Sequence, residues 1–513
     1  MNHKVSLLFF LRAKTIVSML LFSLTNLYSQ NVRVLTYEEA ISIALKESFT
    51  IKSYVNTNLS MQYNYFYNKA MFKPRLDITI FSPNWNENVI TIQQTNGLPV
   101  FNSYGSMQFG GDLRFTYTLP TGGNLALHSL IYRENLTTVL ADQNFNKLTR
   151  NQAFNMLEAT FNQPIFTKNT LSENLKEAQY KYQQALSFYT RGQIEIIYNV
   201  ANGFYCLYRA TKIAEISDEK LKNSEEAYRI VKLKSESGRL PEADVLTMEV
   251  KVAQNKAELS ESINKLEREK DLFKQLIGLD LKEEIRITTD LKYDTFKINL
   301  DTALNKALKY RLEISENEFD IKLQSIQVDR AKRERELKGN ISAYYDLTGI
   351  SSIDSHNNSE LFQSSYNNLY QRPPNRGITF TLSYPIYDWG RGSSKVKREA
   401  VTLKEKELQV ENTKTDIVRQ VRDIVRTVEE AKIRLHINKK NQALAIRSYN
   451  INRMRFENGD ITNQQLSIEQ QTLSDVQLSF LDSFITYQLA IADLKRKSLW
   501  DFQNNRTYII DNN

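Results

Sequence analysis

Much of this chain is written twice. Gly238 and Gly459 stand 221 residues apart, and so do Pro164 and Pro385, Tyr228 and Tyr449, Ile230 and Ile451, and Lys232 and Arg453. Glycine, proline and tyrosine matched at one offset mean two units that fold alike, with no insertion between the matched points. Duplicated units of about 220 residues account for the length better than a string of unrelated domains.

The matched glycines lie in Ser237-Gly238-Arg239-Leu240-Pro241 and Asn458-Gly459-Asp460-Ile461-Thr462. Each motif interrupts a long segment of charged and periodic apolar residues. Glycine tolerates the left-handed backbone that ends a helix, and Pro241 suits the first turn of the next one. The spacing therefore predicts a helical hairpin in each unit. The outgoing helices run from about Leu171 to Glu236 and from about Ser394 to Glu457, and the returning ones over Glu242 to Ile277 and Asn463 to Trp500. An outgoing helix of roughly 65 residues is on the order of 100 Å long, more than a globular core needs. Val396, Leu403, Val410, Ile417, Ile424 and Ala431 recur every seven residues, as do Val245, Val252, Leu259, Leu266 and Phe273 and their counterparts Leu466, Leu473, Phe480, Tyr487 and Leu494. Heptads sustained this far imply helices packed side by side as coiled coil.

Each unit opens with another helix, about Leu35 to Phe72 with Thr36 as its cap, and Asp301 to about Lys338. A returning helix and an opening helix, stacked end to end, match one outgoing helix, so the wall expected is a cylinder with both glycine turns at one end and the strands at the other. Between opening and outgoing helices the pattern changes to alternation. Leu76, Ile78 and Ile80 alternate with Asp77 and Thr79, as do Leu157, Ala159 and Phe161 with their polar neighbours, and Asp112 to Leu119 behaves likewise. Pro120-Thr121-Gly122-Gly123 signals a turn before Leu125 to Tyr132. In the second unit Ile341, Ala343 and Tyr345, then Ile378, Phe380, Leu382 and Tyr384, form apolar rows around a polar loop through Pro373-Pro374. So few strands cannot build a soluble core. Several copies contributing to one closed barrel, apolar side outward, resolve the difficulty.

Lys4, Arg12 and Lys14 precede an apolar run from Thr15 to Leu27, which reads as a secretory signal cleaved near Ser29 or Gln30. No other stretch reaches the ~18 apolar residues of a membrane helix, so membrane insertion implies a β-barrel. The net charge of +8 comes from interspersed signs along helices, which suits solvated faces rather than nucleic-acid binding. The lone Cys206 permits no disulfide within the chain and reads as a small buried residue. His3, His128, His356 and His436 are scattered, with no metal-ligand spacing. Gly390-Arg391-Gly392 lacks a phosphate-loop pattern and reads as a hinge. No nucleophile is paired with a base, so neither an enzyme nor a cofactor is expected.

Taken together, the signal, the duplicated helix–strand–strand–helix–helix units, Gln163-Pro164-Ile165-Phe166, Tyr384-Pro385-Ile386-Tyr387 and the glycine turns resemble the TolC-like outer membrane efflux proteins, from about Leu35 to Trp500. The resemblance implies a mainly α fold with a small β part: a coiled-coil periplasmic α-barrel on a trimeric transmembrane β-barrel, four strands per subunit and twelve in all. It implies a homotrimer in outer membrane lipid, with a periplasmic adaptor and an inner-membrane pump as partners. The duct exports small molecules, or alternatively serves type I protein secretion; a structural periplasmic coiled coil is the rival class. Residues Gly238, Leu240, Asp244, Gly459, Ile461 and Gln465 become candidates for the aperture and adaptor contact. Family members carry an aspartate six residues beyond the second glycine, where this chain has Gln465. Asp244 holds the equivalent first-unit place, as an aperture charge or as a helix-start carboxylate. Leu240 and Ile461 are either adaptor contacts or packing between hairpins. The implied divisions are a signal at 1–30, a first repeat at 31–290 (strands within 75–166, hairpin 170–278), a second at 291–503 (strands within 340–387, hairpin 391–503) and a tail at 504–513. The strand-like surplus at 105–135 is an extended hairpin or a plug.

Overall fold

The computed structural model describes residues 32–93, 97–140, 145–288 and 296–508. The expected signal at 1–30 and the last residues of the tail lie outside them. The chain forms two compact units, one of residues up to Thr57, Leu186–Ser315 and Glu411 onward, the other of Asn58–Ala185 and Glu316–Val410.

In chain order the elements are β1 (Arg33–Leu35), α1 (Tyr37–Glu47), α2 (Phe49–Ala70), β2 (Arg75–Gln93), β3 (Pro99–Thr118), β4 (Asn124–Leu140), β5 (Asn146–Ile165), α3 (Thr170–Glu236) and α4 (Glu242–Ile277). The second half follows with β6 (Ile285–Ile287), α5 (Leu300–Tyr310), α6 (Leu312–Arg333), β7 (Lys338–Ile350), α7 (Asn358–Gln371), β8 (Asn375–Ser383), α8 (Arg391–Asn458) and α9 (Asn463–Ser498), ending in β9 (Trp500–Asp501) and β10 (Arg506–Thr507).

Neither opening helix is continuous. Thr36 caps α1 through a capping box with Glu39, but the helix breaks at Ser48 (ψ 142°), whose hydroxyl accepts from Ile51 N and starts α2. The second copy breaks at Arg311 (ψ 122°). The cause lies in the packing. Gly278, at φ +83° after α4, lies against the Ser48 break, and a Cβ there would come within 2.4 Å of Glu47 O. A continuous α-helix would have no room for this loop. In the second copy Leu499 takes the left-handed place after α9, at φ +50°.

The first unit's core gathers Leu35, Ala40, Ala44, Phe204, Phe273, Ile277, Phe484, Tyr487 and Leu494. The heptad row Leu466, Leu473, Phe480, Tyr487 and Leu494 is buried throughout. Its first-copy counterpart is not: α4 buries Met248, Asn255 and Ser262 and leaves Val245, Val252 and Leu259 half-buried. Cys206, expected inside, is exposed, because Phe204, Leu207 and Tyr208 take the inward face of α3.

At the second break Arg311 grips Glu313 through two hydrogen bonds (Nη2–Oε1 2.5 Å, Nε–Oε2 3.0 Å) and also donates to Gln420 Oε1 and Lys497 O. Burial pushes the Glu313 carboxyl up, but Arg311 outweighs it and holds the group below the ordinary carboxylate range. A carboxylate depressed in the folded state stabilises the fold above its unfolded value of about 4.3 and loses that contribution as pH falls through the folded value. Thermal unfolding followed between pH 3 and 7 should therefore lose part of its acid dependence in Glu313→Gln; an unchanged acid limb would contradict the pairing. Gly278→Ala forces a side chain into left-handed backbone and against Glu47 O, and should cost about 2 kcal/mol or more, read as a lower Tm.

Candidate functional site

Two surfaces carry the residues a transport role would use: the hairpin tips in the first unit and the sheet in the second.

The tips are built identically. Gly238 N donates to Ser235 O and Arg239 N to Lys234 O; at the same offset Gly459 N donates to Phe456 O and Asp460 N to Arg455 O. These bonds satisfy carbonyls that every helix C-terminus leaves open, and they require left-handed backbone at the glycine, φ +72° and +91°. The two N-termini differ. Thr462 forms a capping box, accepting from Gln465 N while Gln465 Oε1 accepts from Thr462 N. Pro241 has no side chain to do this, and Glu242 and Asp244 put negative charge in the first turn of α4 instead. Gln465 is thus engaged locally as a cap. Leu240 and Ile461 are half-buried against a cluster containing Val231, Met248, Tyr449, Phe456 and Leu466.

Sequence reasoning missed Lys234. Its ammonium donates to Phe456 O (3.0 Å) and Glu457 O (3.3 Å), and lies 5.2 Å from the Phe456 ring centre. One hairpin thereby caps the carboxyl end of the other's long helix. No sequence signal distinguishes this lysine from its neighbours on α3. Lys234→Met should loosen the end of α8 by roughly 1–2 kcal/mol, read as about tenfold faster amide exchange over 452–460 with the α9 core unaffected. Unchanged exchange there would show that the contact carries no energy.

The sheet is six-stranded and antiparallel, in the order β2-β3-β4-β5-β7-β8. Four strands come from the first copy and two from the second, two more per chain than the four expected for the barrel. The surplus at 105–135 forms an extended hairpin about the Pro120–Gly123 turn. It belongs to β3 and β4, which pair with β2 and β5 along their length. Their turn, Leu119 to Gly123, is held by Asn169, whose Nδ2 donates to Pro120 O. The polar loop before Pro373 contains α7, whose Leu361, Ser365 and Leu369 are buried, with Ser365 Oγ donating to Gly349 O.

Strand pairing sorts the side chains onto two unlike faces. One row runs Leu76, Phe115, Leu127, Ala159, Tyr345 and the next Ile78, Leu113, Ser129, Leu157, Leu347. Most of the large apolar side chains on this face lie open to the surroundings: Ile78 is 69% exposed, and Ile378, in the row through Ala343, 81%. The other face is polar. His128 sits between Asp112 (Nε2–Oδ1 2.5 Å) and Glu158 (Nδ1–Oε2 3.4 Å), and Arg114 lies beside Asp112. Further along, Glu134 accepts from Ser106, Gln108 and Gln152. These residues were absent from the sequence-based candidates, although the polar members of each alternating strand pointed to them. Among the described residues no helix is long and apolar enough to cross a membrane.

Residues 306–496 match the outer membrane efflux protein family. The chain carries an outer membrane efflux protein domain on a TolC-like fold. The Campylobacter jejuni CmeC outer membrane channel is similar over 90% of this chain and 85% of its own, with a TM-score of 0.66 and 13% identity. The Vibrio cholerae outer membrane protein VceC (0.62, 13% identity, 90% and 95% covered) and the open state of the Neisseria gonorrhoeae MtrE outer membrane channel (0.62, 13%, 90% and 88%) share the same fold. No curated protein matches by sequence.

Proposed function

We propose that this protein is an outer membrane channel, the exit duct of a tripartite efflux pump, assembled as a homotrimer. One observation carries the reading. A sheet with one apolar and one polar face, open at both edges, suits lipid on one side and water on the other. In water alone the exposed apolar face with Leu76, Ile78, Leu113 and Leu127 would be an aggregation liability. The family match to an efflux protein domain supports the same role. On α8, Ile437, Leu444 and Ile451 remain exposed at seven-residue spacing, the pattern of a helix awaiting a neighbour. The tips carrying Gly238, Leu240, Asp244, Gly459, Ile461 and Gln465 are the candidates for the aperture and the adaptor contact. The inner-membrane pump would select the cargo, and no catalysis is needed.

Deleting the gene should raise intracellular accumulation of a fluorescent efflux dye several-fold. The protein should sediment with outer membranes after carbonate washing and run as a three-copy species in mild detergent. Release by carbonate as a soluble species would support a structural coiled coil instead. Normal dye efflux with loss of a secreted protein would assign the channel to protein secretion.

A further inference from the structure

If the chain is an outer membrane channel, the size of its membrane wall follows from the strand count, an inference that rests on that reading. The surplus over the expected four strands is the β3–β4 hairpin. It is bonded on both sides, to β2 from Arg75↔Thr116 onward and to β5 from Asn124↔Asn162 onward. Its faces also continue those of its neighbours. Leu113, Phe115 and Leu127 fall in the apolar rows, while Asp112, Arg114 and His128 fall on the polar face. A hairpin lying in the bore, or in the water beyond the membrane, would have no use for an apolar outer row.

We propose that β3–β4 is part of the wall, and that β2 of one copy pairs with β8 of the next so that three copies close an eighteen-stranded barrel. Six strands are too few to close alone, since the smallest membrane barrels have about eight. The two edges, β2 and β8, expose unpaired backbone, which lipid does not tolerate. With an even number of antiparallel strands, the edges run in opposite directions. Identical copies joined head to tail therefore stay antiparallel throughout. The edges are also offset: the row through Leu76, at the start of β2, reaches Arg376, at the start of the oppositely directed β8. A tilted, closed barrel needs this stagger. Barrel diameter grows roughly linearly with strand number, so this wall is about half again as wide as a twelve-stranded one. The hairpin adds Asp112, Arg114 and His128 to the lining, charges of both signs, which suits large hydrated cargo rather than one class of ion.

Cryo-electron microscopy of the full chain in lipid nanodiscs counts the strands directly. Eighteen, with 99–140 in the wall, is the expected result. A closed barrel of twelve, whether from two copies or from three with the hairpin folded away, overturns this proposal and leaves the channel reading standing. No closed barrel at all overturns both. Excising 99–140 gives a second measurement, because Leu76 and Ala159 lie in one row and β2 can rejoin β5 without a change of face. The excised barrel should be about a third narrower, and an unchanged width would contradict a wall role for the hairpin.

Discussion

A peptide group in lipid has no water to bond with, and on the proposed reading this constraint governs the sheet. Strands β3, β4, β5 and β7 are paired on both sides, while β2 and β8 have one neighbour each. Side-chain polarity says where the sheet must sit, and the two free edges say that it cannot sit there alone. A helix satisfies its own backbone. A sheet does so only by closing on itself. On the proposed reading, oligomeric assembly is thus a requirement of the backbone rather than an added property of the chain.

The helical residues answer a different demand, the conservation of one hairpin design across a duplication. The turn hydrogen bonds repeat bond for bond, yet their surroundings have diverged. Thr462 and Gln465 cap one helix where Pro241 and Asp244 begin the other. Gly278 makes the left-handed exit that Leu499 makes in the second copy. Lys234 belongs to this divergence as well, since Arg455 stands at the equivalent place in the second copy and pairs within its own helix. Two copies that began alike now make contacts that neither could make with itself.

Long-range order was legible in the sequence because it rests on spacing. The glycine turns, the long helices and the heptad row from Leu466 to Leu494 all follow from counting residues. Short-range exceptions were not. The break at Ser48 depends on Gly278, some 230 residues further along, and nothing in the local sequence announces it. The strands were recognised where lipid would demand alternation, as at Leu76 to Ile80. They were missed beyond it, as at Asn84–Gln93, where Trp85, Val89, Ile90 and Ile92 stand among polar residues without strict alternation. α7 was hidden by its serines and asparagines, since only Leu361 and Leu369 mark its buried side. The polar face around His128 required the register of three strands, which no single strand reveals.

The account stands on the two faces of β4 meeting different solvents. Single cysteines at positions 125 to 131 in a Cys206→Ser background, labelled with a small fluorophore in reconstituted membranes, test this directly. Nitroxide-bearing lipids should quench the odd positions, from Leu125 to Ile131, while aqueous iodide quenches the even ones, from Ala126 to Leu130. Iodide quenching at all seven positions alike would mean that water bathes both faces, and the sheet would then not be a membrane wall.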